Sequence, residues 1–289
     1  MNGWLVVNNF IDSYKFKELY NWFIDASKKS DVELSIKTTG DFVSILGKEI
    51  YNELPDFVLF WDKDIYLAQR LENMGVRVFN SAHAIEVCDN KALTAIQLSK
   101  NNITIPKTII APKTFEGIGY KNTRFLEYAE EELKYPFIIK EVYGSFGHQV
   151  YLADNREKAE IIINRIGHKD FIMQELIKNS WGKDIRINIV GNCEVASMYR
   201  YNTEGDFRSN ITLGGKMKQY TPSKEQVEIA IQACVAVGVD FGGVDILFSD
   251  NDTPIVCEVN SNPHFKSTYD CTGINMAEII IEHIIRKCN

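Results

Sequence analysis

The sequence predicts a mixed α/β (α+β) protein in which a parallel sheet comes first and antiparallel strands come last. Strand and helix patterns alternate over the first ninety of the 289 residues, which is typical of a parallel, doubly wound sheet. From Lys183 onward the strand patterns follow one another closely, which favours antiparallel pairing. Between these parts, a lysine ends an apolar strand pattern just before a two-glycine loop, in YPFIIKEVYGSFGHQVYL. The length suits about two domains.

The first block, residues 1–88, justifies the parallel sheet. Its strand patterns are WLVV, VELSI, PDFVLFW and VRVFN. Helix patterns lie between them, at residues 14–28 and in KDIYLAQRLENM, which stops at Gly75. We therefore expect an N-terminal α/β domain here.

The middle block, residues 89–176, predicts a small α+β domain. A helix starts near Asp89 or Asn90, and IPKTIIA forms a strand after it. A second helix, TRFLEYAEEELKY, precedes the strand–loop–strand that carries Lys140. The helix NREKAEIIINRIG and the strand FIMQELI complete the block.

The last block, residues 177–289, predicts an antiparallel sheet with two helices. The strand patterns are DIRINIV, CEVASMYRY, FGGVDILF and PIVCEVN. A helix that begins at Thr221 and Pro222 and ends at Gly238 interrupts them, and a final helix runs from about Ile274 to Lys287.

Two strands of the last block place carboxylates opposite each other. Centring the turn SDNDTP between Asn251 and Asp252 pairs Asp245 with Glu258, and period-two alternation puts Asn260 on the same face. The same register gives the pairs Phe248–Ile255 and Ile246–Cys257. Opposed carboxylates repel, and three oxygen donors suit Mg²⁺, or Mn²⁺ in its place. The alternative is an exposed hairpin whose acids face water.

The acidic hairpin and the lysine–glycine loop together resemble the ATP-grasp superfamily, and within it the RimK-type, α-L-glutamate ligase-like carboxylate–amine ligases. Six segments carry the resemblance in order: FNSAHAIEVCDNKALT, YPFIIKEVYGSFGHQV, FIMQELI, GKDIRINIVGN, EGDFRSNITLGG and GGVDILF…CEVNSNP. The resemblance implies an ATP-grasp fold behind a Rossmann-like pre-ATP-grasp domain. Residues 89–176 would be its central or lid subdomain and residues 177–289 its C-terminal subdomain.

The resemblance also implies a nucleotide site. Two lysines would contact phosphates, a flap at residues 144–147 would cover them, a linker strand would lie beside adenine, and an aspartate would lie near the ribose. The implied ATP contacts are Lys91, Lys140, Gly144, Ser145, Gly147, Glu175, Leu176, Asp184, Arg208 and Asn210. From the residues alone, Lys91 can equally be a solvated helix lysine, and Glu175 and Asp184 surface acids. The two glycines can form a plain hairpin turn.

The remaining implied roles concern chemistry and substrate. Arg208 and Asn210 would be catalytic, and Arg186 and Arg200 would bind a substrate carboxylate, although both can equally be strand-surface arginines. The metal ligands would be Asp245, Glu258 and Asn260, holding two Mg²⁺ or Mn²⁺ ions. Three residues depart from the family pattern and receive no role: Phe146, His148 and His264.

The implied activity is an ATP-dependent carboxylate–amine ligase. A carboxylate would attack ATP to give an acylphosphate and ADP, and the amine of glutamate or another amino acid would then displace phosphate. The alternatives are a small-molecule kinase and a non-catalytic nucleotide-binding module. The loop 201–219 and the N-terminal domain would set specificity, and a homo-oligomer is an expectation from the family.

Composition narrows the classes of partner. The net charge is −7, and no basic stripe favours nucleic acid. No apolar run approaches the ~20 residues of a membrane helix, and the first residues lack an export signal. The six cysteines include no C-x-x-C pair, so we expect reduced thiols and a cytoplasmic protein. The expected partners are ATP, an amino acid and a small-molecule or peptide carboxylate.

Overall fold

The structure is a computed structural model that describes residues 1–48, 53–145, 147–251 and 253–289. The strands in these ranges are β1 (Asn2–Val7), β2 (Glu33–Thr38), β3 (Phe57–Trp61), β4 (Arg77–Phe79), β5 (Thr108–Ile110), β6 (Phe137–Glu141), β7 (Val150–Ala153), β8 (Phe171–Glu175), β9 (Lys183–Val190), β10 (Cys193–Tyr201), β11 (Lys216–Gln219), β12 (Phe241–Phe248) and β13 (Pro254–Asn260). The helices are α1 (Tyr14–Lys29), α2 (Ile65–Asn73), α3 (Ala82–Asp89), α4 (Lys91–Lys100), α5 (Arg124–Leu133), α6 (Arg156–Ile166), α7 (Lys224–Val237), α8 (Lys266–Thr272) and α9 (Met276–Cys288). None of the helices in this described part is long and apolar enough to cross a membrane.

The N-terminal sheet is parallel, as the alternation of strands and helices predicts. Its strand order is β2-β1-β3-β4. The apolar runs of β1 and β3 are buried on both faces, which is typical of a parallel sheet covered by helices. Phe23 of α1 and Ile280 of α9 pack in a cluster on one face, while Leu71 of α2 packs in a cluster on the other. The last helix of the chain therefore closes the first sheet.

The middle sheet is antiparallel, with the order β5-β8-β6-β7. One face is apolar, because Phe137, Ile139, Phe171 and Met173 lie in a cluster with residues of α5 and α6. By alternation the other face carries Ile138 and Lys140 of β6 and Ile172 and Gln174 of β8. Helix α4 lies against part of this second face, and the face forms one wall of the site described below.

The C-terminal sheet is also antiparallel and has the order β11-β10-β9-β12-β13. The sequence DIRINI of β9 alternates, so that Ile185, Ile187 and Ile189 join the cluster beneath α7. Asp184 and Arg186 consequently lie on the opposite face. A period-two pattern thus gives the sheet one apolar face and one charged face.

The hairpin of β12 and β13 confirms one predicted pair and corrects two. Asp245 lies opposite Glu258, and Gly243 lies opposite Asn260. A bulge after Asp245 shifts the remaining register, so the predicted pairs Phe248–Ile255 and Ile246–Cys257 are wrong. The observed pairs are Ile246–Val256, Leu247–Ile255 and Phe248–Pro254. Asp252, on which the predicted turn was centred, lies outside the described residues.

Other element boundaries also differ from the sequence prediction. The helix predicted to start near Asp89 or Asn90 is confirmed as α4, which begins at Lys91 and is capped by the side chain of Asn90. Helix α3, which ends at Asp89, was not predicted. Helix α7 begins after Ser223, which forms a capping box with Gln226, and not at Thr221. It ends at Gly238, as predicted. Strand β11 and helix α8 were not predicted. The three sheets fall in the three sequence blocks, whose domain boundaries stay a prediction.

Candidate active site

A cavity of about 710 Å³ lies between the charged face of the C-terminal sheet and the second face of the middle sheet. Residues of the N-terminal block close one end of it, among them Lys15, Phe16 and Lys63. Every predicted site residue lines this cavity: Lys91, Lys140, Gly144, Ser145, Gly147, Glu175, Leu176, Asp184, Arg186, Arg200, Arg208, Asn210, Asp245, Glu258 and Asn260. The structure therefore brings together side chains that span more than 160 positions of the chain.

The two predicted phosphate lysines approach the cavity from different elements. Lys91 opens α4, and its Nζ donates to the carbonyl of Gly144 at 2.8 Å. Lys140 stands near the end of β6, with Nζ 3.6 Å from Sγ of Cys257. Burial raises the pKa of that thiol, while the charge of Lys140 opposes the rise. Both lysines thus bring positive charge to the cavity.

The flap, residues 144–147, is held closed by the loop that precedes β11. Nη1 of Arg208 donates to the carbonyl of Gly147 at 2.8 Å, and Arg208 also pairs with Asp206. Hydrogen bonding to Asp206 raises the pKa of Arg208. Gly147 has a φ of +76°, and a Cβ there would lie 2.6 Å from Oδ1 of Asn210. The positive φ favours glycine here, and a larger residue would displace the side chain of Asn210. Phe146 lies outside the described residues, and His148 is exposed and does not line the cavity.

The charges of the C-terminal sheet form a row across three strands. Arg186, Asp245 and Glu258 are successive cross-strand neighbours on β9, β12 and β13. Both oxygens of Asp245 accept from Arg186, and Arg200 adds a third contact at 2.9 Å. Arg200 also pairs twice with Asp184, at 2.7 and 2.6 Å. The repulsion for which the sequence invoked a metal ion is therefore offset, at Asp245, by two arginines.

These pairs set the ionisation of the buried groups. Burial alone would raise the pKa of Asp245, but the neighbouring guanidinium groups of Arg186 and Arg200 hold it below the usual value. Burial opposes the charge of Arg200, yet Asp184 and Asp245 together raise its pKa. Asp245 and Arg200 are therefore both charged at neutral pH. Asp184, Arg186, Arg200 and Asp245 thus form one network of ion pairs on the polar face of the sheet.

The residues predicted to hold Mg²⁺ fit the ion unequally. Glu258 has no hydrogen-bond or ion-pair partner among the described residues, and the amide of Asn260 uses only its Nδ2, towards the carbonyl of Gly243. A carboxylate and an amide oxygen are donors that Mg²⁺ accepts. The oxygens of Asp245 are engaged by arginine. Within the described ranges no group of three or more His, Cys, Asp or Glu side chains is placed to hold a metal.

On the predicted adenine strand, both the side chain and the backbone amide of Glu175 are bonded to Lys107. Oε1 of Glu175 accepts from the amide of Lys107 at 2.7 Å, and the amide of Glu175 donates to the carbonyl of Lys107 at 3.0 Å. The carboxylate thus fixes β8 against the segment before β5. Its neighbours Gln174 and Leu176 line the cavity.

The cavity residues that the sequence prediction missed include Lys63, Gln174 and Lys15. Lys63 pairs with Asp89 and donates to Oγ of Ser145 in the flap at 3.2 Å. The sequence contained a signal for Lys63, because this residue lies just after β3, and ligands bind outside the carboxyl ends of parallel strands. Gln174 carried no comparable pattern. Nor did Lys15 of α1.

His264 lies at the end of the cavity closed by the N-terminal block. Its ring meets that of Phe16 edge to face, with centroids 5.4 Å apart. Burial, with the nearby charge of Lys15, lowers its pKa to about 4. The imidazole is therefore neutral at physiological pH, and its Nε2 is buried without a hydrogen-bond partner among the described residues.

Two facing antiparallel sheets that enclose a cationic and carboxylate-lined cavity, behind a parallel N-terminal sheet, define an ATP-grasp protein. Solved structures share this fold over the whole chain. A RimK domain protein ATP-grasp from Sphaerobacter thermophilus has a TM-score of 0.74 and 17% identity, and covers 98% of this chain and 99% of its own. The D-alanine–D-alanine ligase from Bacillus anthracis complexed with ATP has a TM-score of 0.74 and 15% identity, covering 100% and 96%. The ligase PsnB, complexed with minimal precursor, Mg and ADP, has a TM-score of 0.71 and 14% identity, covering 99% and 98%.

The chain belongs to the RimK-like ATP-grasp domain family, whose model matches residues 88–284. It is 30% identical over 257 residues to β-citrylglutamate synthase B of Danio rerio, covering 86% of this chain and 62% of that protein. It is 34% identical over 223 residues to a probable α-L-glutamate ligase of Shewanella loihica, covering 76% of this chain and 71% of that protein. The chain thus spans somewhat less than two thirds of the synthase. The predicted family and fold are confirmed, and these relatives support ATP-dependent carboxylate–amine ligation, the predicted class of reaction.

Proposed function

We propose that this chain joins the amine of an amino acid to a carboxylate acceptor, with ATP hydrolysed to ADP and phosphate through an acylphosphate. The observation that carries the proposal is one cavity in which cations and oxygen donors converge from all three sequence blocks. Lys91 and Lys140, three arginines and the two flap glycines line the same space as Glu258 and Asn260. Such a space is large enough for a nucleotide together with a second small molecule.

Phosphoryl transfer requires positioning and charge stabilisation rather than a covalent nucleophile. We assign Lys91 and Lys140 to the phosphates, where their charges offset the charge that develops on the transferred group. Lys91 and Arg208 now donate to flap carbonyls, at Gly144 and Gly147. A phosphate in the cavity would compete for these donors, so nucleotide binding and flap position are coupled in this proposal.

Glu258 and Asn260 are the residues that would hold Mg²⁺ or Mn²⁺, with Asp245 as a third donor if its arginines turn away. When bound, such an ion would offset the negative charge of the phosphates. Glu258 is the better assignment, because its carboxylate is free of ion pairs among the described residues. The number of ions stays a prediction.

We assign the substrate carboxylate to Arg186 rather than to Arg200. Arg186 pairs with one acid, Asp245, whereas Arg200 is held by both Asp184 and Asp245 and its side chain is only 7% exposed. Releasing Arg200 would leave two buried carboxylates short of a partner, which is costly. Arg186 can therefore bind an anion at lower cost, while Arg200 maintains the sheet.

The closed flap would protect the acylphosphate. Lys63 and Arg208 hold the flap from two sides, and a closed site keeps water from hydrolysing a reactive intermediate. The attacking amine must be deprotonated, and the acceptor would enter from the end near His264 and Lys15. Since the relatives named above are a glutamate ligase and a citrylglutamate synthase, glutamate is the first amine to test and citrate the first acceptor.

Hydroxylamine trapping tests the proposal. The full chain is incubated with ATP, Mg²⁺, hydroxylamine and a panel of di- and tricarboxylic acids, and ADP and hydroxamate are measured. A ligase gives a hydroxamate with its own acid, in equal amount to ADP. A phosphate ester that survives hydroxylamine would establish a kinase instead. ATP binding without ADP formation on any acid, peptide carboxylates included, would indicate a non-catalytic module.

A further inference from the structure

Two hydrogen-bond acceptors at one end of the cavity have no role in the chemistry proposed above. Asn262 and His264 follow β13, on either side of Pro263, and both line the cavity. Oδ1 of Asn262 and Nε2 of His264 are buried without a hydrogen-bond partner among the described residues. A buried polar atom left unpaired is costly, so these two atoms call for a partner.

The backbone around each group decides which of its atoms accepts. Nδ2 of Asn262 donates to the carbonyl of Asp62 at 2.9 Å, and reversing the amide would bring two carbonyl oxygens together. The ring of His264 hydrogen-bonds to the backbone of Lys15, and because Nε2 has no partner, this bond belongs to Nδ1. A neutral imidazole with its proton on Nδ1 has its free lone pair on Nε2. The partner of both unpaired atoms must therefore be a donor.

The two acceptors lie close to the residue assigned to the substrate carboxylate. A Cβ at Gly243 would lie 2.9 Å from Cδ of Arg186 and 3.0 Å from Cβ of Pro263. Pro263, which separates Asn262 from His264, is thus next to Arg186. A molecule held by Asn262 and His264 would therefore be adjacent to an acid held by Arg186.

The charges at this end favour a neutral donor that carries anionic groups. Burial and the charges of Lys15 and Lys266 lower the pKa of His264 to about 4, and the same conditions disfavour an ammonium group beside the ring. A neutral primary amine has two N–H donors for the two acceptors and keeps its lone pair, whereas a hydroxyl has one donor. Both lysines line the cavity, which suits the carboxylates of an amino acid.

We propose that Oδ1 of Asn262 and Nε2 of His264 accept the two N–H groups of the attacking amine and so turn its lone pair towards the acyl carbon. The nitrogen then forms its bond to that carbon, the bond from carbon to the phosphate oxygen breaks, and the proton that the amine loses leaves with hydrogen phosphate. The acid passes this end of the cavity first, and the amine binds behind it. This inference rests on the proposed ligase function.

The test separates the two halves of the reaction. The full chain receives ATP, Mg²⁺ and the acid identified by hydroxylamine trapping, and then either saturating hydroxylamine or a common amino acid, with glutamate first. Hydroxamate reports formation of the acylphosphate, whereas the amide reports capture by the bound amine.

His264→Phe keeps a ring against Phe16 but removes the acceptor. It should lower kcat/KM for the amino acid by at least about tenfold, and change the rate of hydroxamate formation by less than about twofold. The ratio of amide to ADP should also fall, because water hydrolyses an acylphosphate that the amine does not capture.

Three further variants separate the amine contact from general damage. Asn262→Leu removes the other acceptor with little change in volume and should act in the same direction. His264→Gln can bring its amide oxygen to the place of Nε2, and should recover most of what His264→Phe loses. His168→Phe is the control and should match the wild type, because His168 is exposed and lies outside the cavity.

Wild-type kinetics with the amino acid in both His264→Phe and Asn262→Leu would overturn the inference and leave the proposed ligase standing. An equal loss of hydroxamate and amide would also overturn it, because the two residues would then act before the amine binds. The inference alone fails if the wild type forms a hydroxamate but no amide with any common amino acid. If the wild type forms no hydroxamate with any acid, the proposed function and the inference both fail.

Discussion

At the scale of single residues, the acids of the cavity divide into two kinds. Asp184 and Asp245 are buried and joined to Arg186 and Arg200 by bidentate contacts. Glu258, the cross-strand neighbour of Asp245, has no such partner among the described residues. Removing one member of a buried pair leaves an uncompensated charge, whereas an unpaired carboxylate can be changed with little structural cost. The two kinds of acid therefore respond differently to mutation.

Asp245→Asn and Glu258→Gln form a matched pair of isosteric changes that separates stability from metal binding. Asp245→Asn should lower the free energy of unfolding by about 3 kcal/mol, because it leaves two buried arginines with less charge to balance them. Glu258→Gln should stay within about 0.5 kcal/mol of wild type. The Mg²⁺ concentration that Glu258→Gln requires for nucleotide binding should rise at least about tenfold. Urea denaturation and metal titration measure both effects, and an unchanged Mg²⁺ requirement in Glu258→Gln would contradict the metal assignment.

At the scale of elements, the site depends on how two connections meet. The flap joins β6 to β7, the loop 202–215 joins β10 to β11, and Arg208 and Asn210 of that loop contact the flap at Gly147. Gly147 has a positive φ, and its missing side chain leaves room for Asn210. The close contact between these two loops therefore depends on Gly147, which has no Cβ. The flap's lysine partners are Lys91, at the start of α4, and Lys63, which follows β3.

Gly147→Ala should impair nucleotide binding more than stability. Its Cβ would lie 2.6 Å from Oδ1 of Asn210 and force the flap from the loop. Gly119→Ala is the control, because Gly119 also has a positive φ (+63°) but nothing lies within 4 Å of the position of its Cβ. Both variants should lose about 1 kcal/mol of stability to backbone strain. Only Gly147→Ala should weaken ATP binding, by about tenfold; equal ATP affinities in the two variants would refute the proposed contact.

At the scale of the whole molecule, the alternation of apolar and polar residues along the strands predicts much of the fold. The site itself forms only when residues from the three sequence blocks come together in space. DIRINI and GGVDILF show which face of β9 and β12 is apolar, so Asp184, Arg186 and Asp245 could each be assigned to a polar face in advance. The pair Asp245–Glu258 was predicted correctly, but the bulge after Asp245 shifts the pairs beyond it, and the sequence did not reveal this bulge. A signal for Lys63 was available, after β3, but was missed. Gln174 and Lys15 could not be found. Their local patterns are those of ordinary surface or strand residues.

Asn80 joins the N-terminal block to the C-terminal sheet. It is fully buried, its Nδ2 donates to the carbonyls of Phe241 and Ser261, and its Oδ1 accepts from the amides of Asp240 and Phe241. Asn80→Ala would leave several buried backbone groups unpaired, and should lower the free energy of unfolding by about 3 kcal/mol. Asn101→Ala, which removes one exposed hydrogen bond, should cost less than about 0.5 kcal/mol. Equal urea midpoints for the two variants would show that Asn80 does not join the blocks.

The central claim is that a carboxylate becomes an acylphosphate in the cavity between the two antiparallel sheets. The most direct measurement uses the acid identified by hydroxylamine trapping, labelled with ¹⁸O in its carboxylate, together with ATP and the amine. Attack of the carboxylate on the γ-phosphate places one labelled oxygen in the bridge, and displacement by the amine leaves that oxygen in inorganic phosphate. Mass spectrometry should find one ¹⁸O in each phosphate released with ADP. Unlabelled phosphate, or label in AMP, would contradict the proposed mechanism.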